Sequence, residues 1–319
     1  MVRNYEQGEQ ALGEKLAAVI MAAGKSTRMK SALPKAAHAI CGKPMTSHVI
    51  DACMEAGIAS VVVVVGHEAE KVRAALGDDV SYAYQTEQLG TGHACMQAMP
   101  EIAEDVTNVV VLPGDAPLIT AEAIRELMEA HISEGNAATL LTAELEDAAA
   151  YGRVVRDSSG AVLRVCEAKD ADEATLAIRE INTSIYCFAR ELLAENLALL
   201  RTDNAQGEYY LTDVIGLLNE SGKRVGAVIA RNAADTLGIN NRVELAEAAA
   251  IMRKRILERL MLSGVTIVDP ATTYIDCDVE IGHDTIINPC TIIERGSTIG
   301  ANREIGPFVR LRGKEVVSP

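Results

Sequence analysis

The stretch that decides the fold is LAAVIMAAGKSTRMKSALPK, Leu16 to Lys35. Its first eight residues, Leu16 to Ala23, are all apolar and read as a strand buried on both faces of a parallel sheet. The run breaks at Gly24 into a small-residue turn, Gly24-Lys25-Ser26-Thr27-Arg28, and Lys35 follows a proline just beyond. A strand that ends in a Gly-led loop lets backbone N–H groups come close to an anion. Lys25, Arg28 and Lys35 bring three cations to that loop. Its spacing fits neither the dinucleotide fingerprint nor the Walker loop. The plainer alternative is a strand, a turn and solvated lysines.

The neighbouring sequence extends the sheet. SVVVVVG (Ser60 to Gly66), Val80 to Gln85 and NVVVLPGD (Asn108 to Asp115) read as further strands. Helix-like segments at Pro44 to Ala56, Glu68 to Leu76, Thr91 to Ile102 and Thr120 to Glu134 alternate with them, the last opened by a Thr cap and an acidic first turn. This alternation predicts an α/β fold, a Rossmann-like, mostly parallel sheet covered on both faces. Ligands of such sheets bind beyond the carboxyl ends of the strands, where the Gly24 loop, Gln85 and Asp115 all fall. Residues 137 to 240 are less regular. Strands AATLLTAEL, GAVLRVCEA and INTSIYCFA, a helix near Glu191 to Leu200, and then GEYYLTD read as an α+β extension over a second substrate. GINN (Gly238 to Asn241) ends it. A long helix follows, with Leu245, Ala249, Met252, Ile256 and Leu260 on one stripe, and reads as a connector.

From Ile275 a period of six runs through Ile281, Ile287, Ile293, Ile299, Ile305 and Leu311. The fifth place of each hexad is small or short-branched at Val279, Thr285, Thr291, Ser297 and Val309, with Arg303 and Glu315 as exceptions. An aliphatic at one fixed place of a six-residue repeat marks a parallel β-helix, here about two coils at three hexads each. The expected organisation is a polar tail over 1–15, a sheet domain over 16–241, a linker helix over 242–263 and a partial hexapeptide-repeat β-helix over 264–319.

Composition narrows the function. The chain has 319 residues and a net charge of −15 with no basic run, which argues against nucleic acid and an anionic membrane surface. The same charge opposes a nucleoside triphosphate, so local cations and a divalent metal must overcome it. No apolar run reaches the roughly 20 residues of a bilayer span. The start, MVRNYEQGEQALGEK, lacks the apolar core of a secretory signal. Seven cysteines with no C-x-x-C pair argue against a disulfide framework or a zinc site and fit a reducing cytoplasm.

Asp115 ends a buried strand. A carboxylate facing a triphosphate needs a metal between them, and Mg²⁺ is usually held by a carboxylate, phosphate oxygens and water. The alternative is a turn residue flanking a helix. Gln85 can pair with an imide edge through a donor and an acceptor, and Gly90 lets backbone approach a base. The alternative there is a helix N-terminus capped by Thr91.

A-A-G-x-x-T-R-M followed by P-K resembles the signature of sugar-1-phosphate nucleotidyltransferases, most of which carry Gly where Ser26 stands. QTEQLGTGHA (Gln85 to Ala94), YGR (Tyr151 to Arg153), CEAKDA around Glu167, EINTSIY around Asn182, and NAQGEYYLTD (Asn204 to Asp213) narrow the resemblance. They are similar to segments of the bacterial family of bifunctional N-acetylglucosamine-1-phosphate uridyltransferase/glucosamine-1-phosphate acetyltransferases. The resemblance implies that Ala22, Ala23, Gly24, Lys25, Gln85, Gly90 and Thr91 bind the nucleotide, with the uracil on Gln85, Gly90 and Thr91. It implies Arg28, Lys35 and Asp115 in catalysis, Mg²⁺ on Asp115 and Asn240, and the sugar phosphate on Gly152, Glu167, Asn182, Tyr210 and Thr212. The implied reaction joins UTP and N-acetylglucosamine 1-phosphate into UDP-N-acetylglucosamine, a cell-wall precursor, in a cytoplasmic homotrimer held through a left-handed β-helix. An enzyme for another base or sugar, and a non-catalytic trimeric sugar-nucleotide scaffold, are the alternatives.

The family continues through many more coils that carry the acetyltransferase site. Here IGPFVRLRGKEVVSP, with Gly313 in place of the usual proline, is followed by no more sequence, so the expectation is a truncated or natural short form without acetyltransferase activity.

Overall fold

The computed structural model describes residues 15–25, 27–148, 150–313 and 316–317. The polar tail up to residue 14, Ser26 and Glu315 lie outside them. The chain divides into two compact units: one of Met1–Ala37 with Met45–Gly238, the other of His38–Pro44 with Ile239–Pro319. The sequence reading ends the sheet domain at residue 241 and includes His38–Pro44 in it, whereas these residues belong to the second unit.

In chain order the elements begin with β1 (Leu16–Met21). The hairpin strands β2 (Ala39–Ile40) and β3 (Lys43–Pro44) follow, then α1 (Met45–Glu55), β4 (Ser60–Val65), α2 (Ala69–Leu76), β5 (Ser81–Tyr84) and α3 (Thr91–Ala98). Next come β6 (Asn108–Pro113), α4 (Ala121–Glu134), β7 (Ala138–Glu144), β8 (Arg153–Arg156), β9 (Val162–Cys166), α5 (Glu173–Leu176), β10 (Glu180–Ala189), α6 (Arg190–Leu197), α7 (Asp213–Glu220) and β11 (Val225–Ile229). The helix expected to Ile102 stops at Ala98, because Pro100 tightens the chain into a 3₁₀ turn over Met99–Glu101. β8, α5, α7 and β11 were not read from the sequence.

The first unit's sheet runs β11-β7-β10-β6-β1-β4-β5, with β8 and β9 attached through β10. β1, β4, β5 and β6 are parallel, β11 is parallel to β7, and β10 is antiparallel to both neighbours. β1 shows why its sequence is apolar throughout. Ala17 and Val19 face one core with α3, α6 and α7, while Leu16, Ala18 and Ile20 face another with α1, α2 and α4. A strand covered on both faces cannot alternate apolar with polar. The result is a three-layer α/β domain whose parallel strands all end on one edge.

In the second unit, α8 (Arg242–Leu262) is capped by Asn241, whose side chain accepts from the N–H groups of Val243 (2.9 Å) and Glu244 (3.0 Å). Of the expected stripe, Ile256 and Leu260 are buried, and Leu245 and Ala249 only half-buried. Nine two-residue strands follow, from Thr266–Ile267 to Val316–Val317, stacked three deep on three faces. That is three layers rather than about two coils, because the first strand escapes the sequence pattern. Tyr274 pairs with Ile292, Glu280 with Thr298 and Ile286 with Glu304, eighteen residues apart each time, but Thr266 pairs with Ile286 across twenty. The two extra residues break the hexad phase before Ile275. The hexad isoleucines fill the interior. The fifth place favours a small hydroxyl because it is buried beside a carbonyl: Thr291 donates to Asn288 O (2.8 Å) and Ser297 to Glu294 O (2.7 Å). Among the described residues no helix is long and apolar enough to cross a membrane.

Candidate active site

The loop after β1 is built on one edge of the sheet. The Ala22 N–H donates to the Val64 carbonyl (2.9 Å), which carries the β1–β4 pairing past the strand. Ala23 is buried, while Gly24, Lys25 and Arg28 are exposed. A Cβ on Gly24 would meet nothing within 4 Å, so the space over the loop is open. Met29, 1% exposed at the end of the 3₁₀ turn Thr27–Met29, anchors the loop from below. Gly66, just past β4, closes the edge: a Cβ there would lie 2.8 Å from Gln85 O and 3.0 Å from the Ala23 Cβ.

Asp115 follows β6 on the same edge. The Gly114 N–H donates to Met21 O (2.9 Å) and the buried Thr46 hydroxyl to Gly114 O (2.7 Å), which fixes the turn. Lys35 forms an ion pair with Asp115 Oδ2, the side chains 14% and 28% exposed. Gly238, where GINN begins, comes so close that a Cβ on it would lie 3.0 Å from Asp115 Oδ1. The first unit thus brings Lys35 and Asp115 together. Asn240 belongs to the second unit, where its N–H donates to Glu244 Oε2 at 2.6 Å.

Gln85, 3% exposed, takes its N–H bond from β4: its backbone donates to Val65 O at 2.8 Å. Its side-chain Nε2 donates to Gly90 O (2.9 Å) and meets His93 Nδ1 (3.1 Å). Gly90 has φ +110°, and a Cβ would lie 2.5 Å from Tyr209 O, so only glycine fits. Tyr209 N–H donates to Leu89 O (2.8 Å), Gly92 N–H to Tyr209 O (2.8 Å), and Leu211 N–H to the Thr91 hydroxyl (3.0 Å). Thr91 therefore serves the segment across from it as well as opening α3.

The alternate residues of that facing segment reach the sugar-phosphate residues. Thr212 donates its hydroxyl to Glu167 Oε1 (3.1 Å) and Tyr210 to Asp170 Oδ2 (3.3 Å). A Cβ on Gly152 would lie 3.5 Å from Glu167 Oε2, and Asn182 N–H donates to Gly152 O (2.8 Å). Of the five sequence-predicted sugar residues, Gly152, Glu167, Asn182 and Thr212 are thus linked to one another, and Tyr210 bonds to Asp170, whose charge acts on Glu167. Burial pushes the Glu167 carboxyl above its ordinary value; the Thr212 hydrogen bond opposes the rise, and the Asp170, Asp213 and Glu208 charges add to it. Sequence reasoning missed Tyr186, whose hydroxyl accepts from Asn182 Nδ2 (2.7 Å) and which burial, then the Glu167 charge, pushes up. It also missed His93 and Thr46. No spacing marks these residues, since each acts through a partner elsewhere in the chain.

A basic loop and a carboxylate thus stand at the carboxyl edge of a three-layer sheet, the arrangement expected of a nucleotidyltransferase. In agreement, residues 18–213 match the MobA-like NTP transferase domain, and the chain belongs to that family. More particularly, it is similar to the bifunctional protein GlmU of Brevibacillus brevis, with 50% identity over 304 residues, 95% of this chain and 66% of the relative. The GlmU proteins of a Geobacillus species (50% over 290 residues, 91% and 63%) and of Streptomyces avermitilis (49% over 305 residues, 94% and 63%) are equally similar. The chain spans just under two thirds of the length of these relatives.

Proposed function

We propose that this chain transfers the uridylyl group of UTP to N-acetylglucosamine 1-phosphate, releasing pyrophosphate. The observation that supports this reading is the segment 209–212, which ties the Gln85–His93 segment to Glu167 and Asp170, and so joins the residues read as contacts of the base to those read as contacts of the sugar. A sugar-phosphate oxygen attacks the α-phosphorus in line. That oxygen is already ionised at neutral pH, so no general base is required, and catalysis comes from positioning and charge neutralisation. Lys25 and Arg28 hold the departing pyrophosphate and Lys35 the α-phosphate. Glu167 and Asn182 accept from and donate to the sugar hydroxyls.

Asp115 offers a hard carboxylate oxygen suited to Mg²⁺. Among the described residues no group of three or more His, Cys, Asp or Glu is set to hold a metal, so phosphate oxygens, water and a side-chain amide would complete the set begun by Asp115. A divalent metal held there would supply positive charge against the phosphates. Asn240 is the further ligand that the family resemblance implies. Assembly as a trimer through the β-helix belongs to the same reading, as does a reducing cytoplasm, in which the free thiols of all seven cysteines persist.

The test is pyrophosphate release with UTP, Mg²⁺ and N-acetylglucosamine 1-phosphate, run beside glucose 1-phosphate, dTTP and EDTA. Turnover confined to the first combination is the expected result; turnover with glucose 1-phosphate or dTTP instead would reassign the substrate. In the same assay Asp115→Asn lowers kcat by about 10²–10³-fold. Its stability changes by no more than ~1 kcal/mol, since a partly exposed ion pair contributes little. An active Asp115→Asn would remove the metal from this carboxylate.

A further inference from the structure

Gln85 is almost wholly buried, yet its amide is used unevenly. Nε2 lies 2.9 Å from Gly90 O, a carbonyl that can only accept, so the nitrogen end of the amide must point there. The second N–H of Nε2 points to His93 Nδ1 at 3.1 Å. With both protons committed, the amide turns only its oxygen outward, and no described group donates to that oxygen. For Nδ1 to accept, His93 must carry its proton on Nε2; the Gln97 amide nitrogen stands 3.3 Å from that atom, and the half-turned amide, with its oxygen there instead, receives the proton. The imidazole is held in place by the Tyr209 ring, centroids 6.4 Å apart, on the segment that Leu89 and Gly92 bind.

We propose that His93 is a positioning residue for base selection: it locks the Gln85 amide so that only an acceptor faces the base. Resting on the reading of Gln85 as the base contact, this explains how one glutamine discriminates. An imide such as uracil offers an N3–H to that acceptor. Cytosine offers a lone pair at N3, and two facing lone pairs repel. A glutamine free to turn over would present its NH₂ to cytosine and tolerate both bases. Specificity here lies in the group that stops the amide from rotating, since a buried polar group facing its like rejects the wrong ligand more strongly than a missing apolar contact does.

Two measurements test this. In the first, kcat/KM is compared for UTP and CTP, with N-acetylglucosamine 1-phosphate, in the unmodified chain, His93→Phe and His93→Asn. Phe keeps a ring against Tyr209 but supplies no acceptor, whereas the Asn oxygen sits where imidazole Nδ1 does. Loss of one hydrogen bond lowers the UTP-to-CTP ratio about tenfold in His93→Phe, while His93→Asn stays within about threefold of the unmodified chain. An unchanged ratio in His93→Phe, or an equal loss in both variants, overturns the proposal. In the second, long-range ¹⁵N–¹H spectra of the unmodified chain read the His93 tautomer and do not depend on any variant folding. The Nε2–H form is expected, and a proton on Nδ1 overturns the proposal. Failure of the uridylyl-transfer reading itself would show differently, as no turnover of UTP by the unmodified chain.

Discussion

At the scale of the residue, Glu167 joins function to a cost in stability. Its carboxyl is held above its ordinary value chiefly by burial, so the folded chain binds that proton more tightly than the unfolded chain does. The stability linked to it is present below the ordinary carboxylate range, near 4.5, and is lost as pH rises through the raised folded value. Glu167→Gln therefore melts at a higher temperature than the unmodified chain at neutral pH, and the difference narrows as pH falls toward 4.5. The same variant lowers kcat/KM for the sugar phosphate about 10–100-fold, the value of a hydrogen bond to a charged group. Scanning calorimetry across pH, beside steady-state kinetics, checks both halves; a lower melting temperature at neutral pH would contradict the first. Gln85 and Asp115 stood out in the sequence because each ends an apolar strand, and Glu167 only because the segment around it resembles the family's. Tyr186 and His93 were not, because their roles are set by hydrogen bonds to Asn182 and Gln85 that side-chain identity does not announce.

At the scale of the element, residues 89–92 and 209–211 act as one braced unit. The bracing depends on Gly90, where φ is +110° and a Cβ would press on Tyr209 O and the Glu208 Cβ. Gly90→Ala must shift both segments. It costs about 2–4 kcal/mol, more than an unstrained Gly→Ala change, and on the proposed function it weakens UTP and sugar-phosphate binding together, because the 209–212 segment bonds to both Thr91 and Glu167. Urea denaturation gives the first quantity and titration calorimetry with each ligand the second; loss of UTP binding alone would mean the segments move independently. The long apolar strands were readable because a two-faced burial demands continuous hydrophobicity. β8 and β11 were missed because they are short and lie in the less regular half. The first strand of the β-helix was missed because its corner is two residues longer than the rest.

At the scale of the whole molecule, the two units hold separate hydrophobic cores, with the hexad isoleucines in one of them. Unfolding should then show more than one transition. Ile293→Ala, at a fully buried position, destabilises the second unit by about 2–5 kcal/mol. It should move one calorimetric transition and leave the transition that UTP shifts in place; movement of both would mean a single cooperative block. The repeat made most of the second unit legible, since seven aliphatics at one spacing admit few folds. The hairpin β2–β3 gave no such signal. Two of its partners lie far along the chain: the Cys41 thiol meets the Ala249 carbonyl, 208 residues later in sequence, and the Cys41 carbonyl accepts from the Cys277 N–H. On a ribosome adding 5–20 residues each second, these two partners of Cys41 emerge roughly 10–50 s after it. During synthesis, therefore, those two hydrogen bonds close only after most of the chain has been made.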